Sequence, residues 1–304
     1  MVKEQDIFTN AIAPSNDFMV LLGPGLLSTQ GVQHKKQRKL LNPVFSAAHL
    51  RDMSHIFYNV AHKVRKAIST RVPVGGPSEV LDVNGWMART TLEMLGQAGL
   101  GYSFDNFVED LTDPYGESVK LFFRFPFFGL IVHYLSHYMS DAMLRQFLRA
   151  VPNKNLRRIM EISSIMHQRS QEIIDEKKAA LRKGDDSMLH EIGEGKDLMS
   201  ICLKANMTAS EAEKLSDEEL IAQMSTFILA GMDTTSNALS RILHLLAQHP
   251  DVQEKLRAEL AEARGGPGAN VDTPYDELVK LPYLDAVCRE TLRAFAPVTI
   301  SGRV

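Results

Sequence analysis

Apolar residues recur every three to four positions along most of this chain, the spacing of one face of an α-helix. The clearest run is Asn155 to Lys183, where Ile159, Ile162, Ile165, Met166, Ile173 and Ile174 form one stripe. A Gly-rich turn region from Leu26 to His34 leads into a basic helix, His34 to Leu41, which Asn42-Pro43 stops. Ala47 to Arg71 is a second helix, closed by the breaker cluster Pro73-Val74-Gly75-Gly76-Pro77. Val80 to Leu100 reads as a third, with Asp82 or Asn84 as its cap. The aromatic stretch near 120–138 fits neither period, and Gly184 to Lys196 is a polar loop before a short helix over 197–203.

Ser216-Asp217-Glu218-Glu219 is a capping box, in which the serine accepts the N3 amide and the glutamate reaches back. It opens a helix that runs to Gln248, where His249-Pro250 ends it. At 1.5 Å per residue that helix is ~48 Å long, enough to cross a whole domain. Pro250 to Arg264, a short helix from Pro274, and Pro282 to Phe295 complete the pattern, with a loop at Gly265–Gly268. Val298-Thr299-Ile300-Ser301 is the best strand candidate, and no internal repeat is visible. The expected class is mainly α.

Composition narrows the function classes. The chain has 304 residues, 44% hydrophobic and 23% charged, so it can bury a substantial core. Its net charge is −3 with both signs interspersed, which is no footprint for nucleic acid. Two cysteines, Cys202 and Cys288, without a CxxC or a Cys/His ladder, exclude a disulfide scaffold and a structural zinc site. The start, Met1 to Asp6, is polar and lacks the apolar core of a signal peptide. The most apolar segment, 121–132, is shorter than the ~20 residues a bilayer span needs, and it contains Arg124 and Pro126.

One stretch breaks the helical rule where the pattern should be strongest: Ala230-Gly231-Met232-Asp233-Thr234-Thr235. A threonine inside a helix can bond the carbonyl four residues back and bend the helix. Glycine at 231 lets another group approach the backbone closely. Together they open a notch whose freed carbonyls and hydroxyl can hold water, with Asp233 as the titratable neighbour, suited to passing protons to a ligand across the helix. The same residues also read as a packing glycine with threonines bonded to their own backbone. Two weaker motifs flank this stretch. Glu290-Thr291-Leu292-Arg293 places a carboxylate and a guanidinium three apart on one helix face, set between Leu281-Pro282-Tyr283-Leu284 and Ala294-Phe295-Ala296-Pro297. His34 and Arg38 share a face by i, i+4 spacing, between Gly23-Pro24-Gly25-Leu26-Leu27 and Leu41-Asn42-Pro43-Val44-Phe45-Ser46; alone they read as a basic surface helix.

In this order, the three motifs resemble the cytochrome P-450 family, the haem-thiolate monooxygenases. Phe227 to Ser236 looks like the oxygen-activating helix of that family. The resemblance implies that Asp233 and Thr234 handle protons during dioxygen activation, and that Ala230, Gly231 and Thr235 lie along the cofactor, with the glycine side facing the haem plane. His34 and Arg38 match the family's WxxxR pattern with histidine for tryptophan, which implies donation to haem propionates; a guanidinium suits carboxylates because its planar fork pairs with them. Glu290 and Arg293 match the ExxR helix, which implies a buried, fold-locking pair beneath the haem.

The implied cofactor is haem b (iron protoporphyrin IX). The implied partners are a small hydrophobic organic substrate, dioxygen and an NADPH-dependent reductase, with no nucleic acid. The implied location for full-length members is the cytosolic face of the endoplasmic reticulum membrane, with peripheral membrane contact possible at 121–132. Substrate choice would rest partly with Phe122 to Tyr134.

The expected fold is one incomplete cytochrome P-450 domain over 1–304, from before the HxxxR helix to just after the ExxR helix. Most of the small β-sheet and the FxxGxRxCxG loop that supplies the iron's cysteine are absent. Cys288 lies inside the ExxR helix and Cys202 has no neighbouring glycine or arginine, so both read as small, partly buried residues and no metal ligand is assigned. Without the loop, the expectation is exposed apolar surface on the long helix and the ExxR helix, and a marginally stable product. The alternative to a monooxygenase is a non-catalytic helical fragment that binds haem or protein.

Overall fold

Start and stop residues set most of the helix boundaries. The computed structural model describes residues 16–72, 80–108, 132, 134–136, 138–183, 197–266 and 271–299. The breaker cluster at 73–77, most of the aromatic stretch, including 121–131, and the 184–196 loop lie outside the described residues. The helices are α1 (Asn16–Leu22), α2 (Gly31–Leu41), α3 (Ala47–Arg71), α4 (Val83–Leu95), α5 (Asp141–Ala150), α6 (Lys154–Lys183), α7 (Leu198–Thr208), α8 (Asp217–Gln248), α9 (Pro250–Ala263), α10 (Tyr275–Leu278) and α11 (Pro282–Ala294). Ser46, Asp82, Ser140, Asp197 and Ser216 each accept an amide of the first turn that follows them. α11 has Pro282 at N1 and no side-chain cap of its own. Glu259 of α9 takes its free Tyr283 and Leu284 amides instead, both at 2.8 Å.

The expected elements are present, with four differences. α2 begins a turn earlier than expected, and the chain passes Asn42-Pro43 in a short 3₁₀ turn, since proline tolerates the first helical positions. The third helix is shorter than Val80 to Leu100: it starts at the Asp82 cap and widens after Leu95 into one π turn, Gly96–Leu100. α7 extends past Leu203 to Thr208. Val298 and Thr299 are not extended into a strand, and no strand occurs among the described residues.

α8 is the axis of the molecule and packs most extensively on α4, then on α6. Its first half is buried on every side, from Glu219 to Leu229. Leu220, Met224 and Ile228 meet the core with Leu92 of α4, Met199 and Leu203 of α7, Leu144 of α5 and Ile174 of α6. A second cluster joins α3 to α4 through Val60, Val64, Trp86 and Phe107. The expected open apolar surface is present: Leu243, Leu292, Phe295 and Val298 are exposed. An apolar cavity of about 460 Å³ lies between α3, α9, α10 and the start of α11, lined by Leu50, Phe57, Met94, Leu260 and Leu284. Among the described residues no helix is long and apolar enough to cross a membrane.

Candidate functional site

The site begins where the burial of α8 changes. From Ala230 onward the helix keeps one face inward, with Met232 and Ser236 buried, and opens the other. Ala230, Thr234, Asn237 and Arg241 follow at i, i+4, i+7 and i+11, one stripe of a helix. Ala230, Asn237 and Arg241 are exposed, Thr234 is half-buried and Thr235 beside it is exposed. Arg241 closes the stripe by stacking on the Phe295 ring, 4.5 Å from its centroid.

The threonine bond expected from the sequence is present. Thr234 Oγ1 donates to the Ala230 carbonyl at 2.6 Å, and Ser236 and Ser240 bond the Asp233 and Ser236 carbonyls in the same way. The segment therefore has several carbonyls that carry an additional hydroxyl donor, the condition that bends a helix. The helix stays continuous through it. Asp233 is half-buried, on the flank of the stripe.

Gly231 takes a different role from the expected one. A Cβ there would stand 3.2 Å from Leu95 Cδ2 of α4, so the missing side chain makes room for Leu95 rather than for a cofactor. Of the two readings left open by the sequence, the packing glycine applies at 231 and the threonine bonded to its own backbone applies at 234, on a helix that stays continuous.

α2 is fastened to the same helix by the capping box. Glu219 Oε2 accepts the Ser216 amide at 2.8 Å, and its Oε1 accepts from Gln37 Nε2 at 3.1 Å and from Gln33 Nε2. Leu41, Val44 and Phe227 then share an apolar cluster, so side chains tie the α2 end of the chain to α8 at Glu219 and near Phe227. On this helix Arg38 is exposed and His34 half-buried, next to the two glutamines that hold Glu219. Burial first, and then the Arg38 charge, push the His34 pKa below its ordinary value. No hydrogen bond joins these two residues to Ala230 or Thr234; they stand on neighbouring helices.

Glu290 and Arg293 form the expected pair, bidentate at 2.7 and 2.6 Å. The fork of Arg293 holds the Glu290 carboxyl below the usual range. The pair is not buried as expected: the side chains are 66% and 72% exposed. α11 turns Thr291 inward against α8 and α9, and i, i+3 spacing puts Glu290 and Arg293 together on the outward face.

The residues present have donor chemistry that suits the carboxylates of a haem: Arg38 offers an exposed guanidinium and His34 a half-buried imidazole, and Ala230 opens one face of α8. They do not supply an axial thiolate. Cys202 is 1% exposed in the apolar cluster of Leu198 and Phe227, and burial, then the Asp197 charge, push its thiol up to about 12. Burial and Asp285 push the Cys288 thiol up as well. Among the described residues no three His, Cys, Asp or Glu side chains gather to hold a metal ion.

Thr91 and Glu93 of α4 did not stand out in the sequence. Thr91 Oγ1 lies 3.1 Å from the Met232 carbonyl, inside the candidate segment. Glu93 is fully buried, with its carboxylate taking the Phe104 and Asp105 amides. The available signal was two adjacent threonines and a carboxylate inside an otherwise apolar helix.

Comparison with known proteins shows the family and the fold. The cytochrome P450 family profile matches residues 2–303. A Ganoderma lucidum protein named ganoderic acid synthetase is 60% identical over the whole chain. A Postia placenta protein named cytochrome P450 monooxygenase 91 is 48% identical over the whole chain. The chain spans about half of these relatives, 56% of each. A crystal structure of a cytochrome P450DA heme domain superposes with a TM-score of 0.70 at 23% identity, over 96% of this chain and 57% of that one.

Proposed function

The chain belongs to the cytochrome P450 family, and from that membership we propose that it forms the oxygen-side portion of a haem-dependent monooxygenase. Such an enzyme inserts one oxygen atom from dioxygen into a small hydrophobic organic substrate and draws electrons from an NADPH-dependent reductase. The proposed cofactor is haem b. The proposed location of the whole protein is the cytosolic face of the endoplasmic reticulum membrane. The observation that carries the reading is the stripe opening at Ala230 on α8, the helix to which α2, the carrier of Arg38, is tied at Glu219.

When bound, haem supplies the oxygen-activating iron. Arg38 and His34 bind its carboxylates, Arg38 by its planar fork. Ala230 leaves room on the helix face. Thr234 rests with its hydroxyl proton on the Ala230 carbonyl, and rotation of that hydroxyl presents the proton to the open side. Asp233 and Thr235 flank it, Asp233 as the proton source. Glu290 and Arg293 pair with each other on the outward face of α11. Relatives named as monooxygenases favour this over a non-catalytic haem- or protein-binding role.

Two measurements test the proposal. Haem titration should show Arg38→Ala weakening binding by about tenfold, or 1.4 kcal/mol. In the haem-loaded full-length protein, Thr234→Ala should lower product formed per dioxygen consumed by about a hundredfold, the low side of general-acid contributions. Undiminished coupling with Thr234→Ala would remove the proton role.

A further inference from the structure

We propose that Thr91 is a positioning residue for the Ala230–Thr235 segment, acting through the Met232 carbonyl. Thr91 is 3% exposed, and its Oγ1 lies 3.1 Å from two carbonyl oxygens, that of Ala88 in its own helix and that of Met232 in α8. A hydroxyl has one proton, so it either splits it between the two or gives it to one. An ordinary helical threonine bonds its own helix; this one also reaches across to α8.

The position of that contact gives it consequence. Met232 is the inward residue of the segment whose outward residues are Ala230 and Thr234. An outside donor on the Met232 carbonyl draws it toward α4 and competes with the intrahelical bond there, which tilts the turn that carries Asp233 and Thr234. Two other contacts fix the same pair of helices. Leu95 packs against Gly231 on one side, and two turns away Ser240 Oγ lies 3.3 Å from the Asn84 side-chain amide. Of these contacts only Thr91 touches the backbone of the segment with a polar group. Thr91 therefore sets the angle at which the Thr234 hydroxyl meets the open face.

The test uses Thr91→Val, which keeps the shape and removes the donor. Thr91→Ser keeps the donor and trims the packing. Asn84→Ala removes the remote contact alone. Amide hydrogen exchange is measured on the haem-free protein. Thr91→Val should speed exchange about fivefold over residues 231–238, the ratio that one hydrogen bond of ordinary net strength gives. Thr91→Ser should leave that segment as in the wild type, and Asn84→Ala should leave 231–235 unchanged. In the loaded enzyme, Thr91→Val should cut product per dioxygen at least threefold with KM unchanged, and Thr91→Ser should restore it.

The proposal builds on the monooxygenase reading, but the exchange arm needs neither haem nor turnover, so the two fail separately. Unchanged exchange at 231–238 in Thr91→Val overturns it, as does a rise spread evenly over α4 and α8. A local rise with undiminished coupling overturns the role in the reaction. Should Thr91→Val not fold, wild-type exchange and coupling in Thr91→Ala would overturn the proposal, and the local rise with lost coupling would uphold it.

Discussion

Replacing Glu93 by glutamine probes the buried polar centre of the fold with a change of one atom. The Glu93 side chain is fully buried. Its Oε2 accepts the Phe104 amide at 2.6 Å and the Asp105 amide at 2.7 Å, while Oε1 accepts Ser103 Oγ at 2.6 Å and Gln97 Nε2. A glutamine keeps one oxygen for the Phe104 and Asp105 amides and turns its NH₂ to Ser103 Oγ, which can accept, and to Gln97, whose amide can flip, so the contacts survive but lose the carboxylate's charge. A hydrogen bond to a charged group contributes about 1.5–3 kcal/mol against about 0.5–1.5 kcal/mol for a neutral one, so weakening four of them puts Glu93→Gln at about 4 kcal/mol. That is a large share of the 5–15 kcal/mol typical of a folded domain. At about 2–4 °C per kcal/mol, the melting temperature should fall by about 10 °C. Thermal melting and denaturant titration, followed by circular dichroism, measure this directly. Ser103→Ala, which removes one donor and strands nothing on the backbone, should cost about 1 kcal/mol. A Glu93→Gln melting point within about 3 °C of wild type, less than 1–1.5 kcal/mol on the same scale, would refute the reasoning.

The two glycines that face α8 and its neighbours should respond differently to alanine. At Gly25 a Cβ would stand 2.5 Å from Thr226 Oγ1 and 2.8 Å from the Ala222 backbone oxygen, and a backbone atom cannot yield, so Gly25→Ala should cost more than about 2 kcal/mol in denaturant titration. At Gly231 the nearest atom is the flexible end of Leu95, 3.2 Å away, and alanine is the better helix former by about 1 kcal/mol, so Gly231→Ala should be within about 1 kcal/mol of neutral. His49 gives a pH signature. Burial pushes its pKa below the ordinary value of 6.5, partly opposed by Asp52 and Asp197, and its Nε2 has no hydrogen-bond partner. The folded value lies below the unfolded one, so the unfolded chain takes the proton first. Stability contributed by the neutral ring is present above pH 6.5 and is lost as pH falls toward the folded value. Unfolding free energy measured from pH 7.5 down to 5.5 should decline, and His49→Leu should flatten that decline; an equal slope in both proteins would reject the assignment.

The sequence by itself determined the class of the fold, most of the helix limits and the family. The reason is local. A capping serine, a proline at N1 or a glutamate three residues on acts within one turn, so Ser216, Pro250 and Pro282 mark their helices without help from the rest of the chain. The Thr234 bond to Ala230 is also a within-turn event, and it was legible for the same reason. The tertiary structure decided what each motif faces. Helical spacing gives Gly231 and Thr234 different faces but does not say which face meets α4; Leu95 decides that. Glu219 is visible as a capping residue, yet its second oxygen fastens α2, because Gln33 and Gln37 reach it only after the chain has closed over some 180 residues. Glu290 and Arg293 pair by spacing alone, whereas their exposure depends on which side of α11 meets α8 and α9. Thr91 and Glu93 act on partners that are a loop or a helix away, and such partners exist only once the helices have packed.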